Sequence, residues 1–351
     1  MAKAVNFAVV GLGMGSHHCK AIAAAKGARL LAVCDLDESR VRPLAAQYGC
    51  KAYRRYRDVL GDPEVDVVNI VTESGYHAAM GVQAVRAGKH LMMEKPIDIT
   101  PARIGRLESA VAASGLKCGC ILQLRLDACN LALKKAIDRG SMGKVLGVHA
   151  GLPWFRGAAY YSGPHGTWRG TWKLDGGGSM MNQGIHTIDL MTYFGGPIER
   201  VCGFHAVQGH DIEAEDHTVA CVRFACGALG TIFTTTCAQP ENAQQFHCFG
   251  TKGSFRKRGD TLEMYEMGSP KERERMNARF GERVGTGAAS DPMAISSDGH
   301  TLLVEDMSRA VREDRTPMIP LASARHAVDV VHAIYQSGRT GREVRIANGR
   351  G

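Results

Sequence analysis

The sequence predicts an α/β domain on a parallel sheet over residues 1–124, followed by an α+β domain with an open, largely antiparallel sheet over 125–351. Three observations lead there. Apolar runs alternate with helix-like stretches through the first ~120 residues, as in parallel sheets covered on both faces. A glycine-rich turn, "GLGMGS", closes the first apolar run and opens the first helical stretch. After residue 125 longer strand candidates succeed one another, joined by the hairpin-like turns "CGA" and "GTKG". A chain of 351 residues has ample core for two such domains.

In order, "NFAVVG" (6–11) reads as a buried strand and 16–26 as a helix. "RLLAVCD" (29–35) is a second strand with helix 38–48 behind it. "VDVVNIV" (65–71) and "KHLMMEK" (89–95) are further apolar strands, each trailed by a helix, 76–87 and 101–114. "KCGCILQ" (117–123) is the last of the series. Helix 127–139, a strand near 144–151 and an aromatic, Gly-rich loop at 154–173 come next. "LDGGGSMMNQGIHTIDLMTYFGG" (174–196) reads as a helix opened by three glycines. Strand candidates follow at 198–208, 217–224, 228–237, 244–250 and 253–257. Residues 268–298, charged and then Gly/Ser-rich, read as a surface excursion, and helices 299–314 and 321–337 finish the chain. The last helix is free to pack back on the first domain.

Composition excludes several classes of function. At 44% hydrophobic and 22% charged residues the chain is an ordinary globular one, not a disordered one. The net charge of +8 is scattered; its densest stretch, "FRKRG" (255–259), reads as a solvated face rather than a nucleic-acid patch. No apolar run reaches the ~20 residues of a membrane span. Eleven cysteines without a CxxC pair suggest neither a metal site nor a disulfide framework, and an odd count points to reduced thiols and the cytoplasm. Lys3, an apolar stretch and "AIAAA" imitate a signal peptide, but cleavage there would remove the glycine motif, so that reading is set aside.

The candidate chemistry lies at the ends of strands. In "VVGLGMGSHHCKAI", Gly11 and Gly13 allow a tight turn and close backbone approach to a pyrophosphate, which the helix N-terminus attracts. The third position of the GxGxxG pattern is Ser16, or Gly15 with one residue fewer; Leu12 and Met14 complete the turn. Asp35 ends the second strand, where a carboxylate takes ribose hydroxyls. These features predict a dinucleotide site. NAD is favoured over NADP, because Asp35 at ~4 Å from a 2′-phosphate repels it by ~4 kcal/mol per charge pair. Arg40 sits a full turn away on the following helix. "VTESGYH" puts Thr72 and His77, and "MEKP" puts Glu94 and Lys95, on the same ligand-binding edge. A lysine pinned there by Pro96 is a candidate acid or electrostatic stabiliser. Farther on, Asn182, His186 and Asp189 share one face of a regular helix.

Together, "GLGMGSHH", "VTESGYH", "EKP", "DGGGSMMNQGIHTID" and "AIYQSGRTGREV" resemble the Gfo/Idh/MocA oxidoreductases over nearly the whole chain. "TWRGTW" (167–172) is similar to a subset acting on sugars or nucleotide sugars. The resemblance implies a Rossmann-like NAD-binding domain and a second domain whose sheet carries substrate and an oligomer contact, hence a homo-oligomer, dimer or tetramer. It implies Lys95 and His186 as catalytic, with Asn182 standing where many members carry Asp, and Thr72, His77 and Glu94 lining the cofactor crevice. Gln123 joins that set, and Arg125, Tyr161, Trp168, Arg169, Asn182, His186 and Asp189 form the substrate set. Gly176 to Gly178 are expected to let the chain pass close to nicotinamide and substrate.

The expected function is NAD-dependent hydride transfer to or from a secondary alcohol of a sugar-like ring, with C3 of a pyranoside as the candidate position. A redox-neutral glycoside hydrolase using the same transient oxidation is the alternative. A non-catalytic NAD-binding sensor is the third reading. The expected partner is a small sugar or glycoside, with no nucleic acid and no membrane.

Overall fold

The computed structural model describes residues 3–163, 166–281 and 298–346. It separates into two compact units: the residues up to Gln123 with those from 298 to Arg325, and Leu124 to 281 with His326 onward.

The first unit is a six-stranded sheet, entirely parallel, with strands β1 (Val5–Val10), β2 (Ala28–Cys34), β3 (Lys51–Tyr53), β4 (Val67–Ile70), β5 (His90–Met93) and β6 (Cys118–Cys120). Their order is β3-β2-β1-β4-β5-β6, so the winding reverses between β1 and β4. Helices α1 (Gly15–Ala24), α2 (Glu38–Tyr48), α3 (Tyr56–Gly61), α4 (His77–Arg86) and α5 (Pro101–Ser114) connect them. β3 and α3 escape the sequence reading because β3 is a three-residue edge strand with no buried side chain. α5 begins where Thr100 accepts a hydrogen bond from the Arg103 N–H and Pro101 occupies the first turn, and it ends at left-handed Gly115.

The second unit holds α6 (Ala128–Asp138) and an eight-stranded sheet, ordered β13-β12-β11-β7-β10-β9-β8-β14. Its strands are β7 (Val145–Pro153), β8 (Ile198–Ala206), β9 (His217–Phe224), β10 (Leu229–Thr235), β11 (Gln245–Gly250), β12 (Ser254–Arg258), β13 (Thr261–Glu266) and β14 (Val344–Arg345). Among these strands, which lie within the described residues, only the β7–β10 pair is parallel, and β9–β10 and β11–β12 are the hairpins the turns suggested. Burial alternates strictly along β9 and β10, the pattern of a sheet with one packed face. On that face α7 (Ile185–Gly195) brings Phe194 edge-on to Phe246 and Phe255. On the other face Phe204, Val219 and Phe233 stand in register and exposed.

The stretch 268–298 is not a surface excursion throughout. α8 (Pro270–Phe280) occupies its start, with Ser269 accepting from the Glu272 N–H. It buries only Met276, so no apolar stripe betrays it. Residues 282–297 lie outside those described. "FRKRG" is likewise only half solvated: Arg256 and Arg258 face outward, whereas Lys257 is buried and donates to Asn130 Oδ1 at 2.5 Å. α9 (Asp298–Arg312) packs on α1, β1 and β2 and so belongs with the first unit, unlike the division at 124/125. α10 (Leu321–Thr340) lies mainly in the second. Among the described residues no helix is long and apolar enough to cross a membrane.

Candidate active site

At the C-terminal ends of β1 and β4 the chain leaves no room for a side chain on Gly11. Its φ is +91°, and a Cβ there would stand 2.5 Å from the Val71 carbonyl oxygen. Gly13 is exposed, on the open side of the turn. A Cβ on Gly15 would lie 3.1 Å from Val9 and 3.2 Å from Leu12, so Gly15, rather than Ser16, lets α1 sit against β1. Met14 precedes α1 and half-buried Ser16 lies in its first turn. Asp35 Oδ2 accepts from the Leu12 N–H at 2.6 Å and Oδ1 from the Asp37 N–H at 2.9 Å. A carboxylate has about four acceptor sites, so about two remain for hydroxyls. Arg40 does not point away: Asp37, three residues earlier and 3.5 Å off, draws it back, to 3.4 Å from where a Gly13 Cβ would be.

Glu94 and Lys95 follow β5. Glu94 Oε1 accepts from His18 Nε2 at 3.0 Å and lies 3.9 Å from His300 Nε2, while Oε2 accepts from the Lys95 N–H at 2.8 Å. Burial pushes the Glu94 pKa up, but His18, His300 and the Lys95 charge bring it well below the carboxylate range. His18 and His300 are not among the sequence-predicted groups; His300 sits on α9, far along the chain, with no motif around it. These three residues bring ligand-type atoms within 4.8 Å of one another. His18 Nδ1 also meets Asn69 Nδ2 at 2.9 Å, so the arrangement is that of a hydrogen-bonded network. His77 Nδ1 meets the Pro96 carbonyl at 2.7 Å and Nε2 the Thr72 carbonyl at 2.9 Å, so both ring nitrogens are engaged by backbone. Gln123, just past β6, keeps a buried Oε1 without a protein partner among the described residues.

In the second unit the triple glycine is explained by what presses on it. A Cβ on Gly178 would stand 1.8 Å from the Glu215 carbonyl oxygen, and one on Gly177 would stand 2.1 Å from the Tyr335 hydroxyl. Gly177 and Gly178 thus have a reason inside the protein itself to lack a side chain. The Glu215 carboxylate accepts from Gly178 N and Met180 N at 3.0 Å, Ser179 N at 3.1 Å, Ser179 Oγ at 2.6 Å, and the Tyr335 hydroxyl. The expected regular helix is corrected. Ser179–Gln183 forms a π-helical turn, closed by Gly184 N–H to the Ser179 carbonyl at 2.8 Å, and α7 begins only at Ile185. Asn182 therefore leaves the α-helical register of His186 and Asp189.

Asn182 Nδ2 donates to buried Asp175 Oδ1 at 2.7 Å, and Asp175 Oδ2 accepts from the Gly170 N–H at 2.8 Å. Asp175 opens the motif "DGGGSMMNQGIHTID", but the departure that stands out there is the missing carboxylate at 182. His186 is half-buried on the first turn of α7. Asp189 is wholly buried and grips Arg125 through two bonds, Nε to Oδ2 at 2.9 Å and Nη2 to Oδ1 at 2.5 Å. Burial raises its pKa, against the pull of Arg125. Asp189 thus orients a neighbour. The Tyr161 hydroxyl is 2.9 Å from Thr236 Oγ1. Arg169 stacks 4.2 Å above the Tyr160 ring and 5.4 Å from that of half-buried Trp168. Trp172 packs edge-on to Tyr335.

Two family models match this chain, "Oxidoreductase family, NAD-binding Rossmann fold" over residues 5–121 and "GFO/IDH/MocA C-terminal domain" over 130–256. The chain belongs to the Gfo/Idh/MocA oxidoreductases. Its similarity to inositol 2-dehydrogenase of Salmonella typhimurium is 34% identity over 146 residues, 40% of this chain and 44% of that protein, so the match spans less than half of the relative. Myo-inositol 2-dehydrogenase of Thermotoga maritima is 27% identical over 71% of this chain and 74% of its own length. The WlbA dehydrogenase from Bordetella pertussis, solved with NADH and UDP-GlcNAcA, superposes with a TM-score of 0.85 at 27% identity, covering 98% of this chain and 99% of that one. The first unit of this Gfo/Idh/MocA protein fits NAD: Gly11 lets the turn lie against the Val71 backbone, Gly13 is exposed on its open side, and Asp35 keeps acceptor capacity at the end of β2.

Two variants test these hydrogen bonds. Glu215→Gln places an amide among donors that need a carboxylate, and should lower the unfolding free energy by about 3 kcal/mol in a denaturant titration. Glu94 has a depressed folded-state pKa, so its stabilisation is present above the ordinary carboxylate value of about 4.3 and lost as pH falls below it. Glu94→Gln should flatten that acid limb of the stability profile and leave its neutral plateau without a pH slope.

Proposed function

We propose that this chain is an NAD-dependent dehydrogenase that oxidises a secondary alcohol on a sugar-like ring, at C3 of a pyranoside, with Lys95, His186 and Asn182 as its catalytic groups. The observation that carries the reading is a half-buried imidazole on the first turn of α7, just after a glycine segment gathered around a buried carboxylate, in a chain whose other unit bears the glycine turn and Asp35. The inositol dehydrogenases and the UDP-GlcNAcA-bound WlbA enzyme support a polyol or sugar substrate.

NAD, when bound, supplies the hydride acceptor. It would be held by Gly11, Leu12, Gly13, Met14, Gly15, Ser16 and Asp35, with Thr72, Glu94, Lys95 and Gln123 along the same strand ends. His77 supports that edge through the backbone. His186 takes the hydroxyl proton, a role suited to imidazole because its unperturbed pKa of about 6.5 lies near working pH. The Lys95 ammonium stabilises negative charge developing on the same oxygen. Asn182, tied to Asp175, supplies an amide where a carboxylate would add charge. Arg125, held by Asp189, with Tyr161, Trp168 and Arg169 lines the substrate side. Asp35 disfavours a 2′-phosphate, and Arg40 is already offset by Asp37.

His186→Ala should lower turnover by about 10²–10⁴-fold with NADH affinity, read by fluorescence titration, unchanged. Unaltered turnover would remove His186 from the mechanism. On a panel of inositols, uronates, glycosides and nucleotide sugars, the productive substrate should build up NADH stoichiometrically. Aglycone release without NADH would instead establish the redox-neutral hydrolase.

The chain is further proposed to form a homo-oligomer through the open sheet face, where Phe204, Val219 and Phe233 make an exposed apolar row. Phe204→Glu with Phe233→Glu should reduce the mass measured by light scattering to that of one chain.

A further inference from the structure

We propose that His77 carries both ring protons and acts, as an imidazolium, as a positioning residue that ties the end of β4 to the segment bearing Lys95. The latch is read from the first unit alone; its catalytic consequence rests on the role given to Lys95 above.

Donors and acceptors around the ring have to balance. His77 is 1% exposed, and its two ring nitrogens lie 2.7 Å from the Pro96 oxygen and 2.9 Å from the Thr72 oxygen. Both partners are backbone carbonyls, which only accept. Each ring nitrogen must therefore donate, and an imidazole that donates twice is charged. A neutral ring would turn a lone pair onto a carbonyl oxygen at 2.7 or 2.9 Å, out of reach of bulk solvent. The two strand ends would then be pushed apart.

A buried cation at the first residue of α4 opposes the helix dipole and needs a counter-charge. Asp98 provides it. This carboxylate, 0% exposed, accepts from the Ala78 N–H at 3.0 Å, the Ile99 N–H at 2.8 Å and the Thr100 N–H at 3.1 Å. Burial raises its pKa, while Ala78, Arg103 and the His77 charge pull the other way. Arg103 stands 3.8 Å from Asp98 and donates to the Gly75 carbonyl at 2.9 Å. The loop from Gly75 to Ala78 and the stretch from Pro96 to Thr100 are thus cross-tied by His77, by the Ala78–Asp98 bond and through Arg103. Thr72 bears one of the two carbonyls that His77 joins, and Lys95 directly precedes Pro96, which bears the other. An asparagine amide donates only from a single nitrogen and a neutral imidazole donates only once, so donation from both nitrogens of this ring calls for the imidazolium.

The test uses the full-length native protein, labelled with ¹⁵N-histidine and free of cofactor, in a long-range ¹H–¹⁵N correlation at neutral pH. Both nitrogens of His77, assigned by difference from His77→Gln, should resonate as protonated. One protonated and one bare nitrogen overturns the proposal. Should the glutamine variant fail to fold, through-bond correlation to the backbone gives the assignment, and the protonation state is read on the native chain. Where it folds, His77→Gln should lower kcat about ten- to a hundred-fold, with KM for substrate changed far less. An unchanged kcat would reduce the latch to a structural tie and refute its positioning role. Lys95→Ala with full turnover would remove the catalytic reading instead, while the ring spectrum would still decide whether the latch is charged.

Discussion

A carboxylate with no access to water sets the shape of the second unit. Glu215 is buried at the mouth of β9, and an ionised group there is tolerable only if the chain surrounds it with donors. Three backbone N–H groups, a serine hydroxyl and a tyrosine hydroxyl do so. The donors come from the glycine segment and from α10, the latter 120 residues downstream of Glu215. For the backbone to close around the carboxylate, Gly177 and Gly178 must lack side chains. The π-turn starts from that point, and α7, with His186 on its first turn, follows it.

The first unit solves a similar problem at the ends of β4 and β5. Glu94 and Asp98 flank the Lys95–Pro96 pair, and each accepts backbone N–H bonds from neighbouring residues. Imidazoles then connect these carboxylates and carbonyls to other elements: His18 from α1, His300 from α9, His77 from α4. The cofactor edge is therefore a polar network whose members are paired in the protein itself. Most of its charged groups orient one another, so the proposed chemistry rests on few of them. Asp189 behaves likewise in the second unit, its charge committed to Arg125.

The alternation of strand and helix, the glycine turn and the hairpins were legible in the residues, because each depends on local physics. An apolar run, a left-handed glycine and a short turn carry their meaning within a few positions. β3 and α8 were not legible for the complementary reason: a three-residue edge strand and a helix with one buried side chain leave no periodic apolar signal.

By itself the sequence determined the two sheet types, the dinucleotide turn, Asp35 at the end of β2, and the fragments that bear Lys95 and His186. Only the tertiary structure decided what those fragments touch. Gly177 yields to Tyr335 and Gly178 to Glu215, Asn182 bonds to Asp175, Asp189 to Arg125, and His77 to two carbonyls. Several of the pairings that shape both units join residues 20 to 120 positions apart. Periodicity and propensity act over a few residues, whereas the cost of an unpaired buried charge is settled by whichever distant group the fold brings beside it.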